Sequence, residues 1–185
     1  MARPRSIDPN HLLDAAERVV ASHGVPGLTL EAVAAEAGIS KASVLYDHGS
    51  KRALVQAVLA RALQRDTAHN QAAIRAVPAH DSPVIKGRLA AAAQPLPDAF
   101  RPVALSLVAA MAGDSSLRGP FQEHQREVIE AVATTSQQPR GAMLAYLALE
   151  GLKLLEALDY HRWPEEQRDQ LLRDIAWLVE QVPPD

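Results

Sequence analysis

Cysteine is absent from the 185-residue sequence, and this excludes disulfide bonds, cysteine-ligated zinc sites and thiol nucleophiles. The absence fits a reducing compartment, so we expect a cytoplasmic protein. No apolar run approaches the ~20 residues that a membrane-spanning helix needs. The basic start, Met-Ala-Arg-Pro-Arg-Ser, has no apolar stretch behind it, so we expect no signal peptide.

Aromatic residues are scarce, at 4% of the chain, and runs of β-branched residues are rare. Alanine and leucine dominate instead, and both are strong helix formers. Hydrophobic residues (48%) and charged residues (22%) occur in the proportions of an ordinary folded protein. We find no strand pattern and no internal repeat, so the composition favours an all-α fold.

Motifs that would indicate catalysis are also missing. The seven histidines are scattered and form no HExxH pair, no glycine-rich phosphate loop follows a strand, and no serine occupies a G-x-S-x-G turn. We therefore expect a protein that is not an enzyme and that binds neither a metal nor a cofactor.

Helical periodicity and capping residues predict roughly nine or ten helices. Asp8 and Pro9 suit the first helix start, because aspartate caps helices and proline tolerates the first helical position. Ser50 caps an unusually long helix that would link two domains. The predicted helices cover 8–23, 30–37, 41–48, 51–77, 83–93, 98–112, 120–135, 140–160 and 164–182. We expect residues 1–52 to form a three-helix N-terminal domain and residues 53–185 to form a C-terminal helical bundle.

The stretch 29–51 predicts a helix-turn-helix, because two short capped helices are joined by a tight turn that contains Gly38. In that motif the second helix enters the DNA major groove, and its first residues face the base edges. The residues at that position are small or polar: Ser40, Lys41, Ala42 and Ser43. Lysine can donate to guanine or phosphate, serine can donate or accept, and alanine can contact a thymine methyl group.

Two residues beyond this start suit phosphate rather than bases. The phenol of Tyr46 lies near the far end of the predicted helix, and Lys51 opens the next helix, where its charge and the free amides attract an anion. Charge alone decides little: the net charge is −3, and residues 1–65 hold eight Lys and Arg against six Asp and Glu. Short capped helices with a glycine turn also occur in helical bundles that bind no DNA.

Residues 11–59 resemble the N-terminal region of the TetR (tetracycline repressor) family, most clearly in Gly-Ile-Ser-Lys-Ala-Ser-Val-Leu-Tyr (38–46) and Gly-Ser-Lys (49–51). By this resemblance Lys41, Ala42 and Ser43 read bases, and Thr29, Tyr46 and Lys51 hold phosphates. The family forms homodimers on near-palindromic DNA operators, and a small molecule bound in the C-terminal domain usually releases the DNA. Repression is the family's common mode.

Two residues depart from the family pattern. Asp47 stands where members often carry histidine or another neutral polar residue, and His48 stands where they usually carry an apolar one. Because a carboxylate repels phosphate, we expect Asp47 to turn away from DNA or to pair with His48 or Arg52. A partly buried, tolerated histidine is the simpler interpretation of His48, and a pH sensor is the alternative.

The segment 142–158 is apolar on almost every side, and its three charges, Glu150, Lys153 and Glu156, share one narrow stripe. A helix with so little polar surface must be covered on most sides. We expect a partner subunit to cover part of it, together with the last helix; completion of a monomeric core is the alternative. The predicted dimerisation residues are Leu147, Leu154, Leu158, Leu171, Ile175 and Leu178.

A small-molecule site is expected among the helices between Leu54 and Tyr146. The predicted lining residues are Phe100, Leu107, Met111, Phe121, His124 and Met143, and for each of them ordinary core is the simpler interpretation. A helical module that binds a ligand or another protein, and that has lost DNA binding, is the alternative to a DNA-binding regulator.

Overall fold

A computed structural model describes residues 9–94 and 101–184. These residues form nine α-helices and no strand, which confirms the predicted all-α fold. A short 3₁₀ turn, Ser115–Leu117, precedes α7. The helices are α1 Pro9–Gly27, α2 Leu30–Ala37, α3 Lys41–His48, α4 Lys51–Ile74, α5 Pro83–Ala92, α6 Arg101–Gly113, α7 Gly119–Thr135, α8 Pro139–Ala157 and α9 Glu165–Leu178.

The chain divides into two compact units. Of the described residues, the first unit contains 9–62 and 101–117, and the second unit contains 63–94 and 118–184. The helix α4 therefore contributes its first half to one unit and its second half to the other. None of the helices described for this chain combines the length and apolarity that a membrane-spanning segment requires.

In the first unit, the helices α1 to α4 share one apolar core. Val20, Val33, Val44 and Leu54, one from each helix, are fully buried. The helical backbone of α1 is interrupted at Gly24, whose φ of 67° is a left-handed conformation that glycine adopts without strain. The sequence predicts a helix end at this residue; the cap predicted at Asp8 lies outside the described residues. The helix α6 packs along α1 and belongs to the same unit.

The core of the second unit is built around α8. Its buried cluster comprises Ile85, Leu89, Val132, Ala142, Ala145, Tyr146, Leu149, Leu152, Leu172, Ile175 and Val179. Gly87 lets α5 approach the end of α4, because a Cβ atom at this position would lie 2.5 Å from the Cα of Ile74. Arg88, at the next position of α5, is buried.

Candidate nucleic-acid interface

Local capping contacts fix the two helices of the predicted helix-turn-helix. The Thr29 side chain accepts a hydrogen bond from the backbone amide of Ala32 at 3.0 Å, which starts α2. Gly38 ends α2 in the left-handed conformation, at φ 65°. The Ser40 hydroxyl then accepts a hydrogen bond from the amide of Ser43 at 3.1 Å and starts α3. Three residues thus separate the two helices, as the sequence predicts.

The buried side chain of Val44 determines which face of α3 points outward. Because successive residues of a helix turn by about 100°, Ala42 and Tyr46 lie opposite Val44. Both are exposed, and Tyr46 keeps 91% of its surface accessible. This outward face also carries Leu45, which is 47% exposed and which the sequence analysis did not single out. An apolar side chain on a DNA-reading helix can contact a thymine methyl group.

Ser43 lies at the edge of this face, half-buried. Its hydroxyl shares a 2.8 Å hydrogen bond with the hydroxyl of Ser40. Each hydroxyl keeps further hydrogen-bonding capacity, so both remain able to contact DNA. Ser43 thus takes part in the cap of α3 as well as lying where a base contact was predicted.

The basic side chains of the interface all have partners within the protein. Lys41 forms an ion pair with Glu31 at 2.5 Å. Lys51, at the start of α4, donates to the carbonyl oxygen of Pro26 at 2.7 Å. Arg52 donates to the hydroxyl of Ser116 at 2.5 Å. These contacts hold the cationic groups in defined positions before any DNA is bound.

Asp47 is exposed and His48 is half-buried at the end of α3. Within residues 9–94 and 101–184, Asp47 forms no ion pair with His48 or Arg52, so the pairing considered from the sequence is not present in this structure. The exposed carboxylate therefore adds a negative charge near the end of the helix that was predicted to read DNA.

The predicted dimerisation residues separate into two groups in the second unit. Leu147 and Leu154 are 59% and 51% exposed on α8. Ile175 is only 7% exposed, and Leu171 and Leu178 pack against the same core, while Leu158 is half-buried. The exposed apolar stripe of α8 comprises Leu144, Leu147, Leu154 and Leu155, and Trp177 is exposed on α9.

The predicted ligand-lining residues are dispersed over several helices. Leu107 is buried and Met111 is half-buried on α6 of the first unit. Phe121, His124 and Met143 are half-buried in the second unit, and the buried Nε2 atom of His124 has no hydrogen-bond partner among the residues that the structure describes. Phe100 lies outside the described residues. A shared ligand pocket for these residues stays a prediction.

A polar cluster inside the second unit was missed by the sequence analysis. Arg88, which is 4% exposed, donates to Glu150 at 2.8 Å, and its guanidinium lies 5.7 Å from the ring centre of Tyr146. The Tyr146 hydroxyl donates to Gln125 at 2.6 Å. Among residues 9–94 and 101–184, the buried Nε of Arg88 has no hydrogen-bond partner. No spacing rule could reveal this cluster, because its members come from three helices far apart in sequence.

Side chains able to bind a metal ion are dispersed over the described residues. The described ranges contain no group of three or more histidine, aspartate or glutamate side chains placed to hold a metal ion.

Comparison with known families gives two matches. Residues 12–58 match the family of bacterial regulatory proteins of the tetR type. Residues 83–180 match the tetracyclin repressor-like C-terminal domain. No curated protein sequence matches the chain.

Solved structures show the same fold. A TetR-like transcriptional regulator from Rhodococcus sp. RHA1 shares 22% identity, with 95% of this chain and 97% of that chain covered and a TM-score of 0.65. A TetR-family member from Streptomyces coelicolor A3 shares 22% identity, with coverage of 95% and 98% and a TM-score of 0.66. The multidrug binding protein EbrR, complexed with malachite green, shares 21% identity, with coverage of 95% and 98% and a TM-score of 0.71.

Proposed function

The chain belongs to the TetR family of bacterial regulatory proteins, and we propose that it is a cytoplasmic repressor that binds a near-palindromic operator as a homodimer. A small molecule bound in the second unit releases the DNA. The observation that carries the proposal is the outward face of α3, where Ala42 and Tyr46 lie opposite the buried Val44 on a helix capped for a helix-turn-helix. We assign the protein no catalytic role.

We propose that α3 enters the major groove with Ala42 and Ser43 near base edges, and with Lys41 at the start of the helix, where its ammonium group can donate to a guanine or to a phosphate. Thr29, Ser40, Tyr46 and Lys51 surround them and contact phosphates. Support comes from the amide-rich starts of α2, α3 and α4, which are suited to anions. Selection from a random DNA library, followed by fluorescence anisotropy on the selected duplex, tests this function. A protein that enriches no sequence would instead be a ligand-binding or interaction module, the alternative that the exposed Asp47 favours.

For dimerisation we propose that the apolar stripe on α8 meets the same stripe of a second copy. Soluble monomers rarely expose several large apolar side chains in one continuous patch. Leu144, Leu147 and Leu154 recur at helical spacing on one face and are all exposed. The two operator half-sites bound by a dimer would then mirror the symmetry of the protein.

For the effector we propose that the polar cluster of the second unit orients the bound molecule. Arg88 supplies an unpaired buried donor, and the Tyr146 hydroxyl supplies a second polar group among apolar side chains. EbrR has been crystallised with malachite green and with ethidium, so these two dyes are suitable first probes. Because both dyes are cations, we expect the Glu150 carboxylate and the Tyr146 ring to attract them, rather than the Arg88 guanidinium.

A dye that binds the second unit should raise the melting temperature and weaken operator binding together, because both effects depend on one conformational equilibrium. Differential scanning fluorimetry and anisotropy on the same samples measure both, with Glu150→Gln as the variant that lacks the carboxylate of the polar cluster. A dye that stabilises the protein without changing operator affinity would contradict release through this site.

A further inference from the structure

Glu31 and Lys41 form an exposed ion pair across the helix-turn-helix. Glu31 lies in the first turn of α2, Lys41 is the first residue of α3, and their charged atoms are 2.5 Å apart. The two side chains are 62% and 57% exposed, so solvent and DNA can reach both of them. The hydrogen bond from Lys41 holds the pKa of Glu31 below its ordinary value, and the carboxylate is charged at neutral pH.

The helix ends explain why these two residues are paired. An acidic side chain is favoured at a helix start, whereas a lysine there faces the positive end of the helix dipole. Glu31 therefore suits its own helix, and Lys41 gains a partner that offsets its unfavourable position. The same pairing places a carboxylate two residues after Thr29, on the surface that we propose faces phosphate.

We propose that Glu31 restrains DNA binding by competing with DNA phosphate for the ammonium group of Lys41. The inference depends on the proposed DNA-binding function. Phosphate neutralisation supplies most of the sequence-independent affinity of such proteins, so a carboxylate that occupies Lys41 lowers affinity for DNA of any sequence. The contacts from the rest of α3 to the base edges are unaffected. The pairing therefore lowers the affinity for DNA that lacks the operator sequence.

Glu31→Gln tests the competition directly. The variant should bind the operator and an unrelated duplex several-fold more tightly than the natural protein. Its plot of log affinity against log salt should be steeper by about 0.9 per subunit, the slope of one added phosphate contact. The measurement is fluorescence anisotropy on both duplexes at several salt concentrations.

The chain offers a matched control on the same helix. Glu36 is also exposed on α2 and pairs with Arg18 at 2.5 Å, so Glu36→Gln makes the same change in net charge without touching Lys41. It should leave the affinity within twofold and the salt slope unchanged. Equal effects of the two variants would show that net charge, not competition for Lys41, is responsible, and would overturn the inference.

A double variant distinguishes the effect of the ion pair between Glu31 and Lys41 from the effect of each charge alone. Lys41→Met alone should weaken binding to both duplexes, because it leaves the Glu31 carboxylate unpaired near phosphate. Adding Glu31→Gln to Lys41→Met should restore affinity to about the natural level, since both charges are then gone, and the steeper slope should disappear. If Glu31→Gln changes neither affinity nor slope while the natural protein binds its operator, the inference fails and the proposed function stands. If the natural protein binds no DNA, the proposed function itself fails.

Discussion

At the scale of single residues, Lys51 shows how a cation is prepared for DNA. Its ammonium group donates to the Pro26 carbonyl but has three donors, so two remain for a phosphate oxygen. The hydrogen bond to Pro26 fixes the Lys51 side chain at the start of α4, so the side chain does not move among many solvent-exposed conformations. The ordering entropy of a long side chain is then partly lost before DNA binds.

Lys51→Ala should weaken binding to the operator and to unrelated DNA by the same factor, because phosphate contacts carry no sequence information. The salt slope should fall by about 0.9 per subunit. Anisotropy titrations at several salt concentrations measure both, and Arg173→Ala, which removes an exposed charge from α9, is the control. A change in sequence preference with an intact slope would place Lys51 at a base edge instead.

At the scale of helices, the local signals were readable from sequence and the long-range contacts were not. Thr29, Gly38 and Ser40 mark helix ends through contacts with residues at most a few positions away, so their chemistry is visible in the sequence. The pair between Arg88 and Glu150 joins residues 62 positions apart, and only the folded packing of α5 on α8 brings them together. Periodicity likewise placed Ile175 on an apolar face of α9 but could not show that this face is turned into the core.

The contact between α5 and α8 gives a pH-dependent contribution to stability. Burial raises the pKa of Glu150, but the charges of Lys153 and Arg88 outweigh it and bring the pKa below the ordinary 4.5. A carboxyl group with a lowered folded-state pKa stabilises the protein above its unfolded-state pKa, and this stabilisation is lost as pH falls through the folded-state value.

Glu150→Gln should therefore lower the free energy of unfolding by about 1–3 kcal/mol at pH 7, less than for a fully buried pair because Glu150 is partly exposed. The difference from the natural protein should shrink below pH 4.5. Urea unfolding from pH 3 to pH 8 measures the difference in unfolding free energy between the variant and the natural protein. The control is Glu127→Gln, which removes an exposed carboxylate from α7. A difference that stays constant with pH would mean that the Glu150 charge contributes nothing.

At the scale of the whole molecule, substitutions in the exposed stripe on α8 can test the association of two subunits without disturbing the folding of each one. Leu147 has most of its surface free in the single chain, so a charge there disturbs few contacts within the subunit. Ile175 is 7% exposed in the core, and an unpaired carboxylate in such a position costs several kcal/mol. The two positions therefore distinguish a partner surface from the interior.

Leu147→Glu should keep the helical circular dichroism spectrum and melt cooperatively, but sediment near the 19.9 kDa chain mass rather than near twice that mass. Ile175→Glu should lose its cooperative melting transition. Gln122→Glu, which adds the same charge to an exposed site on α7, should sediment like the natural protein. A natural protein that sediments as a monomer at micromolar concentration would remove the dimer from the proposal.

The stripe on α8 passes through Gly151, which is exposed; apart from its chain neighbours and the nearby backbone of its own helix, no described atom lies within 4 Å of where its Cβ would be. A two-fold axis crossing a helix places residues near the crossing beside their own copies. The natural chain contains no thiol, so a cysteine introduced at Gly151 would be the only one in each subunit. Any disulfide it forms must then join two chains, and the ease of that oxidation would report how near the symmetry axis the middle of α8 lies.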